Sequence, residues 1–229
     1  MKKLRVILML CLGLLPGVAL AASSTGNQAI IQTLKSRGDA EINRRLTSLN
    51  TLTSAINATT KLSSSDQSAL ASEVSTEISG LTALKTKLDG DTDITVVRAD
   101  IQSIFADYRV YALILPKVRI LIAADRLSIA DTTLTNLATK IAAQITADQA
   151  AGKNVASLST QLTQMQASIA SATSIYSNVH DSTINLQPSD YNTDHTVLAG
   201  KRTQLGQAAT DLKNAVATGK SLIASLKSL

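Results

Sequence analysis

The chain has 229 residues, 22 Lys and Arg against 17 Asp and Glu, 45% hydrophobic residues, no Trp, one Phe and four Tyr. Lys2, Lys3 and Arg5 account for three of the basic residues, so the rest of the chain carries 19 against 17, near +2 and without a basic cluster, which excludes the electrostatic footprint of a nucleic-acid binder. With so few aromatic residues the core has to be filled by Leu, Ile, Val and Ala, as in helix bundles with close axes.

The three N-terminal basic residues precede an apolar run from Val6 to Leu15 that closes on Pro16, Gly17 and the triplet Ala19-Leu20-Ala21. This is the pattern of a secretory leader over residues 1–21, too short to anchor a membrane. Cys11, the single cysteine, lies inside it without the small residues that lipoprotein processing needs. The exported remainder is then expected to hold no disulfide, thiolate nucleophile or cysteine metal ligand.

From Gln28 to Lys61 the large apolar residues Ile31, Leu34, Ile42, Leu46, Leu49, Leu52 and Ile56 recur at steps of three and four, a helical stripe. Leu62 and Ser63-Ser64-Ser65-Asp66 read as a staple and N-cap for a second helix. Its stripe is Leu70, Val74, Ile78, Leu81, Leu84 and Leu88, and it stops at Asp89-Gly90. A third helical pattern starts within 91–95 and runs to about Ala150. Pro116 is expected to kink or break it, because a mid-helix proline lacks a donor and clashes with the carbonyl of Ala112. After a turn at Gly152-Lys153-Asn154, a fourth helix carries Leu158, Leu162, Met165, Ile169 and Tyr176, and a loop through 185–190 leads to a last helix from about Asp194 to Leu226. No segment shows strand alternation.

The expected fold is all-α: an elongated antiparallel helical bundle with coiled-coil-like seams, and a long central helix interrupted near Pro116. Two stacked three-helix bundles are preferred over one extended bundle, with halves at 22–115 and 116–229 joined through that helix. The dense segment YRVYALILPKVRILIAADR (108–126) is read as the interior spine, its Arg109, Lys117 and Arg119 reaching water along one edge.

Among polar motifs, DGDTDITVVRAD (89–100) places Asp89, Asp91, Asp93 and Asp100 at positions 1, 3, 5 and 12 of a twelve-residue calcium loop. Ile94 stands where that loop wants Gly, and the competing reading is a helix turn with Thr92 or Asp93 as cap. The two histidines, His180 and His195, flank a loop with Asp181, Asp190 and Asp194, ligand types suited to zinc but at no standard spacing. Arg37-Gly38-Asp39 lies within a helical stripe and not on a loop tip. No nucleophile elbow, phosphate loop or paired Glu motif is present, so no enzyme and no cofactor other than calcium is expected.

The stretches RGDAEINRRLTSLN (37–50), YRVYALILPKVRILIAADRL (108–127) and NLQPSDYNTDHTVLAG (185–200) resemble a group of uncharacterised, secreted, all-helical bacterial proteins. The resemblance implies an exported bacterial helical protein and transfers no site residues. The functional expectation is a non-catalytic bundle acting on a protein or cell-envelope component, secreted, periplasmic or at the cell surface, with no membrane span once the leader is removed. One alternative is a membrane-active protein that inserts residues 110–124, against which Lys117 and Arg119 would each cost about 2.5–3.5 kcal/mol at the bilayer centre. The other is a calcium-regulated binding module.

Overall fold

The computed structural model describes residues 17–229, with side chains from residue 26 onward, so positions 1–16 of the expected leader lie outside the described residues. Seven α-helices and one π-helical turn follow in order: α1 (Gly17–Ala58), α2 (Ser64–Gly90), α3 (Ile94–Ala106), the π turn (Val110–Ile114), α4 (Leu115–Ala150), α5 (Ala156–Ile184), α6 (Pro188–Thr193) and α7 (Lys201–Lys227). No strand occurs among the described residues, and the fold is an all-α helical bundle.

The helix ends follow local chemistry. Gln67 reaches back to donate to the Ile56 carbonyl at 2.9 Å, satisfying an orphan acceptor near the end of α1. Ser63 caps α2 by accepting the Asp66 amide at 3.1 Å, and Asp93 caps α3 by accepting the Thr95 amide at 2.7 Å. Gly152, at φ 82°, turns the chain between α4 and α5 in a conformation that a Cβ would disfavour.

The buried apolar residues fall into two groups. The first joins α1, α2, α3 and the π turn to the start of α4, and includes Ile42, Leu49, Leu81, Leu88, Ile104 and Leu121. The second joins the rest of α4 to α5 and α7, and includes Ile141, Met165, Ala172, Ala208, Ala215 and Leu222. Helix α4, about 54 Å long at 1.5 Å per residue, contributes to both. Along α4, Val118 and Leu121 belong to the first core and Ala124 to the second.

The interruption expected near Pro116 takes a specific form. Helix α3 ends at Ala106, the chain breaks over 107–109, and a π turn leads directly into α4, whose second residue is Pro116. The π turn widens the coil so that the Leu115 amide reaches the Val110 carbonyl. The last connection also differs from expectation: Pro188 starts the short helix α6, the Gln187 amide donating to Asp190 at 2.8 Å, and α7 begins only after Gly200 turns the chain at φ 72°.

Candidate functional site

The break before α4 concentrates most of the unusual chemistry. Arg109 has φ 29°, the only positive value at a non-glycine among the described residues, and backbone held in that region stores strain. Helix α6 clasps it: Arg109 donates through Nε to Asn192 Oδ1 at 2.6 Å and lies over the Tyr191 ring, while Asn192 Nδ2 donates to the Ala106 carbonyl at 2.8 Å. The free end of α3 is thereby satisfied by a side chain from far along the sequence.

One turn into α4 lies Lys117. Sequence placed its charge in water at the edge of the spine; the structure buries it completely. Its ammonium donates to Glu73 Oε1 and Oε2 at 2.9 and 2.8 Å and to the Leu186 carbonyl at 2.9 Å, so all three donors are used. The correction has a simple cause: a charge in the middle of an apolar run can be enclosed when a carboxylate on a neighbouring helix comes with it. One turn from Glu73 on α2, Glu77 has a buried Oε2 with no hydrogen-bond partner. Burial, then the negative charge of Glu73, push the Glu77 carboxyl up to about 7 against the opposing pull of Lys117. Glu77 lines a polar cavity of about 430 Å³ with Asp107, Gln187, Ser189 and Asn192. Nearby, Tyr108 packs so closely on Gly80 that a Cβ there would meet its Cε1 at 2.7 Å.

On another face of α4, a groove of about 670 Å³ opens between α4 and α7. Pro116, Ile120, Ala123, Leu127, Leu198 and Leu205 form its apolar floor, and Arg119, Arg126 and Arg202 surround it. All three arginines are exposed, and none forms an ion pair or side-chain hydrogen bond among the described residues. Arg119 and Arg126 are seven apart, two helical turns, which places them on one face of α4 beside Ile120, Ala123 and Leu127. That spacing was legible in the sequence; the partnership with Arg202 was not.

The calcium-loop aspartates do not form a twelve-residue loop, because only 91–93 lies outside helix and Asp100 is well inside α3. Asp93 is occupied as the α3 cap. Asp89 faces Lys85 at 3.5 Å, and its backbone carbonyl accepts from Lys35 at 2.7 Å. Asp91 and Asp100 are brought together, with the Lys87 ammonium bonded to Asp100 and 3.8 Å from Asp91. The hydrogen bond to Asp100, then desolvation, raise the Asp91 carboxyl above its ordinary range. Arg37-Gly38-Asp39 lies in α1, with Asp39 paired to Lys85 at 2.8 Å.

The histidines are separated in function. His195 lies 4.9 Å from the Tyr191 ring, and Asp190 and Asp194 serve local caps through the Gln187 and Thr196 amides. His180 instead meets residues that sequence spacing did not connect to it: Asp66 in the first turn of α2 and Asp125 on α4. Among the described residues these form the one trio of His, Cys, Asp or Glu whose ligand atoms all lie within 4.8 Å of one another. Burial, together with the Asp66 charge, raises the Asp125 carboxyl, while the Ser63 amide bonded to it acts the other way. No protein-family model, curated protein or solved structure matches this chain, so the site rests on its own geometry.

Proposed function

We propose that this is an exported, non-catalytic helical bundle that acts by binding an envelope component, and that the component enters the groove between α4 and α7. The observation that carries the reading is the meeting of three uncompensated guanidinium groups with an apolar floor. A groove of about 670 Å³ falls in the size range of small-molecule sites, which are mostly apolar with a few placed polar groups. Guanidinium forks suit phosphate and carboxylate oxygens, and weak hydration lets them bind at an apolar edge. The matching ligand is an anionic single-chain amphiphile, its tail along Ile120, Leu127 and Leu205 and its head among Arg119, Arg126 and Arg202. Export rests on the leader pattern of residues 1–21.

Insertion of residues 110–124 is less well supported, since Val110, Leu113, Ile114, Val118 and Leu121 already form the first core and Lys117 would have to abandon Glu73. No helix among the described residues is long and apolar enough to cross a membrane.

Equilibrium binding of a lysophospholipid with a free phosphate head, its choline counterpart and inorganic phosphate tests the proposal. The anionic amphiphile is expected to bind at least tenfold tighter than the zwitterionic one, and Arg119→Gln or Arg202→Gln to weaken it by about tenfold each, the size of one charge-assisted hydrogen bond. Equal binding of the two amphiphiles, or no change in a triple arginine variant, rejects the groove. Inorganic phosphate binding as tightly would assign the site to a free anion, and dye release from vesicles would favour insertion.

A further inference from the structure

We infer that Asp66, Asp125 and His180 form a binding site for a divalent transition-metal ion of the zinc class. The three come from α2, α4 and α5, and one ligand atom of each lies within 4.8 Å of the others. Asp66 is buried, and Asp125 and His180 are half-buried.

The orientation of His180 points to a cation. Its Nδ1 lies 3.0 Å from Asp181 Oδ1, a carboxylate outside the trio that can only accept. With Nδ1 engaged there, Nε2 is the nitrogen turned to the trio, 3.0 Å from Asp66 Oδ2, and loss of its proton would free a lone pair for an ion. Asp125, steadied by the Ser63 amide on its Oδ2 at 2.7 Å, adds a second carboxylate to the same point. A divalent cation entering between them would displace the proton that bridges Nε2 and Asp66 and be held by the imidazole lone pair and the two carboxylates. A carboxylate behind a ligating histidine is the usual outer partner that fixes ring orientation at a metal.

The distance agrees. Bonds of about 2.0–2.2 Å from zinc to nitrogen and oxygen put the two ligand atoms about 2.8–3.6 Å apart for angles between square and tetrahedral. The observed 3.0 Å lies in the lower part of that span. One imidazole and two carboxylates suit zinc and its neighbours better than calcium, which wants six to eight oxygens. Three protein ligands leave a coordination position for water or a partner's side chain. An ion here would pin α2, from the first core, onto the α4–α5 pair of the second.

Isothermal titration of the untagged protein near pH 7.5 with zinc, calcium and magnesium tests the site. One equivalent of zinc is expected to bind saturably and raise the melting temperature, with calcium and magnesium binding far more weakly. His180→Gln and Asp125→Asn are each expected to weaken zinc by more than tenfold, Asp181→Asn by about tenfold as an outer-shell loss, and His195→Gln not at all. Absence of a zinc isotherm in the folded protein overturns the site, and means that a proton on His180 occupies the gap. Undiminished binding in both His180→Gln and Asp125→Asn, or a loss seen only in His195→Gln, also overturns it. Should His180→Gln fail to fold, Asp125→Asn and Asp181→Asn carry the test, together with the absorption spectrum of bound cobalt in the unmodified protein.

Discussion

Where α4, α5 and α7 pack together, most buried positions are aliphatic or alanine, and the buried carboxylate of Asp131 is filled by Tyr176 and Thr173 at 2.6 and 2.8 Å. Where α1, α2, α3 and the π turn pack, the core encloses the Lys117 ammonium, and the Arg45 side chain is buried beneath Phe105 and Tyr111. The first arrangement rests mostly on periodicity, with Asp131 as a particular cluster within it, because stripes at three and four residues pair with one another in many similar ways. The second couples distant parts of the chain, Glu73 to Lys117 and Lys117 to Leu186. Buried ion pairs add little net stability against apolar replacements, yet breaking one leaves a stranded charge. The contrast teaches that the N-terminal half is fixed by particular partners and the C-terminal half mostly by repeated pattern.

The largest expected effect tests that contrast at Lys117. Lys117→Met leaves Glu73 in place with its counter-ion gone, and should cost about 3–5 kcal/mol in urea unfolding. Adding Glu73→Leu should recover much of the loss, because both charges are then absent. A cost below about 1 kcal/mol for Lys117→Met would show that the pair does not organise this half.

A smaller effect is expected from Glu77. Its carboxyl is raised from the ordinary 4.5 to about 7, so between those values the folded protein holds more protons than the unfolded chain. Stability on this account is full below about pH 4.5, falls as pH rises and has lost the contribution above about pH 7. Solvent screening at a half-buried site reduces the effect to about 1–2 kcal/mol. Glu77→Gln should flatten that slope in melting curves taken from pH 4.5 to 8, and an unchanged slope would remove Glu77 as its source.

Much of the fold was legible because its helices obey local rules. The stripes through Ile42, Leu49 and Ile56 and through Leu70, Leu81 and Leu88 are buried as periodicity requires, and Ser63 caps α2 as its pattern requires. The break was only partly legible: Pro116 marks the neighbourhood, but the strained Arg109 depends on Asn192, which no local window contains. Site geometry was the least legible. Lys117 looked like a snorkelling residue because its carboxylate sits on another helix, and His180, which does meet its sequence neighbour Asp181, also has Asp66 and Asp125 as spatial partners that no local spacing shows. The groove arginines show both sides of this, with Arg119 and Arg126 readable from a seven-residue spacing and Arg202 supplied only by the docking of α7.

The finest test of the contrast uses two helical glycines. A Cβ at Gly38 in α1 would come within 2.5 Å of Leu88 Cδ2 and 3.3 Å of Ile101 Cγ1, and Leu88 is fully buried. Overpacking of this kind costs about 1–3 kcal/mol, more than the gain of about 1 kcal/mol from replacing glycine within a helix. Gly38→Ala should therefore destabilise. At Gly206 in α7 a Cβ meets nothing within 4 Å, so only the helix gain remains and Gly206→Ala should stabilise by about 0.5–1 kcal/mol. Opposite signs for the same substitution, read from urea midpoints at constant slope, would separate a glycine held against close particular contacts from one on an open helix face. Stabilisation at both positions would mean that α1 can shift away from Leu88.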